Sequence, residues 1–192
     1  MKAVLISISP KWCELIASGK KTVEVRKTKP KIETPFKVYI YATWNGNSRE
    51  ILLKKDNRLF VDRYVDYLTT ADRASGKVIG EFVCKGVTYI EAGYDTNENK
   101  HLYNTAFIEH QMCIPDNELF DYLYKSRENS GGWGWHISDL VIYDKPKELR
   151  EFFYACDKPK DTDCSVCLDR RENRCKSITR PPQNWCYVEE LR

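Results

Sequence analysis

No stretch of the chain approaches the ~18 consecutive apolar residues that a membrane-crossing helix needs, so the sequence offers no helical span. The opening apolar run "AVLISI" is too short for the hydrophobic region of a secretory signal. It is followed by "SPKWCEL" where a small-residue cleavage site would stand. These absences read as a cytoplasmic protein, and a reducing compartment favours thiols and metal sites over disulfides for its eight cysteines. A strong charge excess is also missing. The formal net charge of +3 is too small to argue by itself for a nucleic-acid partner. What is present, 42% hydrophobic and 12% aromatic residues against 31% charged, is enough to bury a core. A length of 192 residues fits a single domain spanning 1–192, with an elaboration beyond the usual core of about 150 residues.

The charge is unevenly placed. Met1 to Lys37 holds nine Lys/Arg and three Asp/Glu, a local balance of +6 that suits a phosphate-bearing partner as well as it suits a lysine-rich exposed loop. Within it, "GKKTVEVRK" (19–27) sets Glu24 alone among Lys20, Lys21, Arg26 and Lys27. The period-two alternation of "KTVEVRK" predicts a strand with Val23 and Val25 on one face and Thr22, Glu24 and Arg26 on the other. Same-face neighbours lie about 7 Å apart, so Glu24 and Arg26 can engage each other and one shared ligand, with Lys21 at the mouth of the strand.

Around this stretch the pattern predicts a buried strand over 2–8 and a helix opened by Ser9 and Pro10, with Trp12, Leu15 and Ile16 inward and Gly19 at its end. A second strand covers 36–43. Residues 44–75 read as an insertion with a short hairpin or helix. "GKVIGEFVCKGVTYI" (76–90) reads as a core strand, "NKHLYNTAFIEHQ" and "DNELFDYLYKS" as helices, "GWGWHISDLVIY" (132–143) as a strand, "DKPKELREFF" as a short helix and "QNWCYVEEL" as the last strand. Few helices and no Rossmann-like strand–helix alternation predict an α+β fold, a mostly antiparallel β-barrel with flanking helices.

Gly19, Lys21, Glu24 and Arg26 match the pattern G-x-K-x-x-E-x-R, placed after a strand and helix and at the start of the next strand. With "VLISISPKWCELIASGKKTVEVRK", "GKVIGEFVC", "WHISDLVIYD" and "PPQNWCYVEEL", the sequence resembles the ASCH domain family, part of the PUA-like superfamily. The resemblance implies a small barrel whose cleft, between the first helix and the sheet, holds the motif and binds RNA or a nucleotide. Some relatives are acyl-cytidine amidohydrolases and others ribonucleases. In the amidohydrolase-like members a nucleophilic threonine stands where this chain has Glu24, so the nucleophile does not carry over.

The residues themselves allow several chemistries. Neighbouring cations push Lys21 toward a neutral base, whereas Glu24 holds it protonated and suited to a phosphate or an oxyanion. The planar fork of Arg26 suits phosphate or carboxylate, or it pairs with Glu24 and only orders the strand. Trp12, Trp44, Trp133, Trp135 and Trp185 are stacking candidates for unpaired bases, most of them core by default. Trp44, in the polar "TWNGNS" loop, is the one expected to be exposed. His136 reads as a hydrogen-bonded core histidine, and Cys13, Cys84 and Cys113 as buried thiols.

A cysteine-rich insertion over 156–176 has the spacing Cys156-x7-Cys164-x2-Cys167-x7-Cys175, which fits one structural Zn²⁺ held by four thiolates. Nearby Lys and Arg offset the charge. The alternatives are free thiols, disulfides formed on oxidation, or a site in which Cys186 replaces an outer cysteine. Taken together the sequence predicts a PUA-like protein with a small zinc-binding loop that binds RNA or a nucleotide through Lys21, Glu24, Arg26 and Trp44. The rivals are a hydrolase of RNA or of a modified nucleoside using Lys21 and Glu24, and a protein-interaction module built on the zinc loop.

Overall fold

A computed structural model describes residues 1–44, 50–63, 72–126, 130–155 and 176–191. The cysteines expected to bind zinc, Cys156, Cys164, Cys167 and Cys175, lie outside the described residues. The chain divides into two compact units interleaved in sequence: Met1–Ala17, Lys37–Phe82 and Leu140–Arg192 form the first, Ser18–Phe36 and Val83–Asp139 the second.

In the first unit, β1 (Lys2–Ile8) pairs in parallel with β3 (Phe36–Ala42) and antiparallel with β9 (Trp185–Glu189). Every residue of β1 from Ala3 to Ile8 is buried, as a continuous apolar run between two partners requires. A parallel pair needs a long crossover. Here it contains α1 (Pro10–Ala17), whose first turn closes on the Ser9 carbonyl through the Trp12 and Cys13 amides. The buried face of α1 is Pro10, Cys13 and Ile16; Trp12 and Leu15 are only half-buried, a shift of one position from the expected stripe. The helix gives way to Gly19 at φ +73°, the left-handed conformation expected of a terminating glycine. The core of this unit gathers Ala3, Leu5, Tyr39, Tyr41, Val78, Phe152, Ile178 and Val188. Residues 44–75 contribute a two-stranded hairpin, β4 (Ile51–Lys55) and β5 (Arg58–Asp62).

The second unit contains β2 (Val23–Arg26), β7 (Lys100–Tyr103), α2 (Glu109–Met112) and α3 (Asp116–Leu123). Two 17-residue strands, β6 (Val78–Tyr94) and β8 (Gly131–Lys147), contribute residues to both units. The strand order here is β2-β8-β6-β7. Val23 and Val25 face Ile90, Ile108, Met112, Leu119, Phe120 and Leu123 in a single apolar cluster.

The sequence "GWGW" on β8 now has a physical reading. Gly132 and Gly134 turn toward the helices, where a Cβ on Gly132 would lie 2.5 Å from Leu123 and 2.7 Å from the Arg26 carbonyl, and one on Gly134 would lie 2.9 Å from Val23. The alternate positions, Trp133 and Trp135, turn to the opposite face.

The architecture is the expected strand-rich α+β arrangement. In neither unit does strand pairing close into a ring among the described residues, so the barrel is an open sheet there. The free edge of β2 is occupied by α2 instead, with the Thr22 amide donating to the Gln111 carbonyl at 3.0 Å. The edge of β9 is occupied by residues 153–155, with Glu189 donating to Phe153 and Ala155 to Tyr187.

Two expected helices are also revised. Residues 100–103 form β7, because the Asp95 carboxylate accepts from the Asn97 and Asn99 amides and folds the chain back onto β6. At 144–147 the chain continues β8, and only Leu149–Glu151 turns helically, with a capping box between Glu148 and Glu151.

Candidate functional site

Lys21, Glu24 and Arg26 are brought together in the second unit. Lys21 is 1% exposed and Glu24 4%, which rules out a solvated charge run for these two residues. The Glu24 carboxylate is shared: Oε1 lies 2.9 Å from Arg26 Nη2 and Oε2 lies 3.5 Å from Lys21 Nζ. Lys21 Nζ also donates to the Met112 carbonyl at 2.5 Å, at the C-terminal end of α2. Burial lowers the Lys21 pKa, and the Glu24 carboxylate opposes that shift, with Cys113 and Arg26 as smaller contributors of opposite sign.

The elements explain this burial. β2 is four residues long and sits at the end of the sheet, so a side chain just before it, at Lys21, points into the edge that α2 covers. Glu24 and Arg26 stand directly opposite Trp135 and Trp133 on β8 and share their face. Trp135 is fully buried, with Phe36 edge-on at 5.7 Å between ring centroids. Arg26 is the member of the triad nearest solvent, with 12% of its side chain exposed. Beyond it, Lys27 rests 4.9 Å from the Tyr122 ring of α3 and Lys29 4.1 Å from the Trp133 ring.

The other expected site residues fall elsewhere. Trp44 is exposed, at 47%, as expected, and belongs to the first unit, where the Arg73 guanidinium stacks on it at 4.3 Å. His136 is half-buried rather than in the core, and its Nε2 shares a 2.8 Å hydrogen bond with Thr88, as the hydrogen-bonded reading expects. Cys13 and Cys84 are buried thiols, and burial pushes Cys84 up to about 11. Cys113 is the correction: it is half-buried, held at φ +55° just past α2, and its thiol donates to the Lys20 carbonyl at 3.3 Å. No group of three or more His, Cys, Asp or Glu among the described residues is arranged to hold a metal. No helix among them is long and apolar enough to cross a membrane.

The family model of the ASCH domain matches residues 6–154. The chain belongs to the ASCH family. ASCH domains are generally RNA-binding. The crystal structure of ASCH from Zymomonas mobilis is 17% identical to this ASCH domain, with a TM-score of 0.54 covering 98% of this chain and 88% of that one. A tyrosine-to-phenylalanine mutant of the Zymomonas mobilis protein gives 0.54 at 17% identity, covering 99% and 92%. A serine-to-alanine mutant gives 0.53 at 16%, covering 98% and 89%. At these identities the likeness speaks for the fold alone. No functionally curated protein matches the chain.

The sequence did not flag Tyr89, Tyr122 or Trp133 as neighbours of the motif. The signal was there in part: the glycine–tryptophan alternation of 131–136 sorts both tryptophans onto one face of β8. What it could not give is the register that sets that face opposite Glu24 and Arg26.

Proposed function

We propose that this ASCH domain binds RNA or a nucleotide at the surface next to β2. Arg26 and the neighbouring lysines take the phosphates, while Glu24 and Lys21 fix Arg26 from beneath. One observation supports this reading above the rest: a single buried carboxylate holds two cations, one on each oxygen, so the triad keeps one net positive charge at its outer member. Between Lys20 and Lys31 the chain carries six cations and one acid, and Lys20, Lys29 and Lys31 are exposed. An Arg held by a carboxylate is already oriented, so less side-chain freedom is lost when it meets a phosphate. Binding of a single-stranded RNA should therefore weaken steeply with salt, through counterion release, in an anisotropy titration at two ionic strengths. Salt-independent binding, or none, would remove this reading.

A hydrolase is the second reading, favoured by Lys21. Its amine is buried, its affinity for a proton is lowered, and a carboxylate stands 3.5 Å away. A neutral Lys21 would accept a proton from an attacking water while Glu24 steadies the ammonium that forms. Under this reading the same RNA is shortened over time by wild type and left intact by Lys21→Ala; under the binding reading it is released whole by both.

The cysteine spacing supports a structural Zn²⁺ held by Cys156, Cys164, Cys167 and Cys175. Four protein ligands leave no open position, so the ion would order the loop and carry no chemistry. Cys186 is a poor substitute, because it packs against the first unit's apolar cluster and burial pushes its thiol up to about 11. Purified protein should carry one zinc per chain, and Cys164→Ser/Cys167→Ser should lose it while Cys186→Ser keeps it. Metal content by atomic emission decides between these outcomes.

A further inference from the structure

Within the second unit, the loop after β2 folds over the tryptophan-bearing face of the sheet. Lys29 sits on the Trp133 ring, and Phe36 meets the edge of Trp135. Between this loop and β6 lies a cavity of about 500 Å³, lined by Lys29, Lys31, Ile32, Glu33, Phe36 and Val87 among others. Tyr89, two residues beyond Val87 and so on the same face of β6, is 42% exposed, and its ring lies 5.1 Å from Trp133 at an interplanar angle of 58°. Trp133 in turn stands directly opposite Arg26. The cavity, the two rings and the motif arginine thus occupy one face of one unit.

We propose that this groove and the rings beside it form a stacking subsite for an unpaired base of single-stranded RNA, with Tyr89 and Trp133 as the platform next to the groove and Lys29 and Lys31, in its lining, on the flanking phosphates. The chemistry points to this occupant. An exposed ring, Tyr89, against a half-buried one, Trp133, beside lysines combines a π-surface, which any base can cover, with charge for the backbone. Two lysines outweigh the one acid, Glu33, in the lining, so the groove suits a polyanion, and the adjoining rings offer a π-surface that a base covers and an acidic side chain does not. Lys29 is exposed on a flexible stem, so its ammonium can leave the ring face for a phosphate when a base arrives. A paired base has its faces covered by its own duplex, so the subsite selects single strands. The proposal rests on the RNA reading of the motif and adds to it where the base is held.

The test uses the full chain and a single-stranded RNA of roughly ten nucleotides carrying one 2-aminopurine. Binding to wild type should quench the 2-aminopurine, and a duplex of the same sequence should bind more weakly. Tyr89→Ala and Trp133→Ala should each lose about five- to hundredfold in affinity together with the quenching, and Trp133→Phe should retain most of both. If Trp133→Ala does not fold, Tyr89→Ala and Lys29→Ala/Lys31→Ala, all at exposed positions, decide the matter. Should these variants bind and quench like wild type while an Arg26 variant loses binding, the stacking subsite is wrong and the RNA reading of the motif stands. Should wild type bind no RNA, both fall.

Discussion

Replacing Glu24 by glutamine should cost the fold about 3–5 kcal/mol, because it removes the shared partner of a fully buried lysine and a largely buried arginine. The loss should also depend on pH in a defined direction. Burial holds the Lys21 pKa in the folded chain below its ordinary value of 10.5. Between the two values the unfolded chain carries the proton and the folded chain does not, so stability rises with pH across that window. Without Glu24 the amine loses the interaction that opposed the shift, its folded pKa falls further, and the window reaches to lower pH. Urea midpoints of wild type and Glu24→Gln should therefore draw closer as pH rises toward 10.5. A gap that widens as pH rises would contradict this account.

Trp135→Ala should be comparably severe, at about 3–5 kcal/mol. The ring is fully buried, packs edge-on with Phe36, and stands directly opposite Glu24. Its removal opens a cavity beneath both the loop after β2 and the motif strand, so the thermal midpoint should fall on the order of 10 °C. Glu24 and Arg26 would also lose the wall that fixes their rotamers, so RNA affinity should drop even in the population that remains folded. Trp133→Ala provides the contrast. That ring is half-buried, so its loss should fall on binding much more than on the thermal midpoint.

The parts of the fold that were legible in the sequence are those whose burial pattern is local. The apolar run of β1, the Ser9–Pro10 helix start, the Gly19 stop and the alternation of β2 each depend on neighbours within a few residues, and each appears where expected. Residues 99–111 were read as one helix, but only Ile108 and Met112 keep a helical spacing, where α2 forms, while the Asx turn at Asp95 folds residues 100–103 back as β7. Pro146 near a helix start was an equally fair signal, yet it is accommodated within the far end of β8, as proline can be where a strand lacks a partner on one side.

The motif was legible as a motif but not as a buried one. Nothing in "GKKTVEVRK" reveals that the strand ends the sheet, or that the Met112 carbonyl reaches back across 91 residues of sequence to cap Lys21. That contact turns one cation of an apparent surface run into a buried lysine–carboxylate pair, and leaves Arg26 as the member nearest solvent.

Under the proposed function this outer arginine, oriented by Glu24, meets the phosphate of an RNA or nucleotide. Its most direct test is an anisotropy titration of a short single-stranded RNA at two salt concentrations, with wild type and Arg26→Gln both shown to be folded by circular dichroism. The expected result is salt-sensitive binding by wild type, with Arg26→Gln weakened across RNA sequences and its salt slope reduced by about one. Equal affinity and equal salt slope for the two proteins would contradict it.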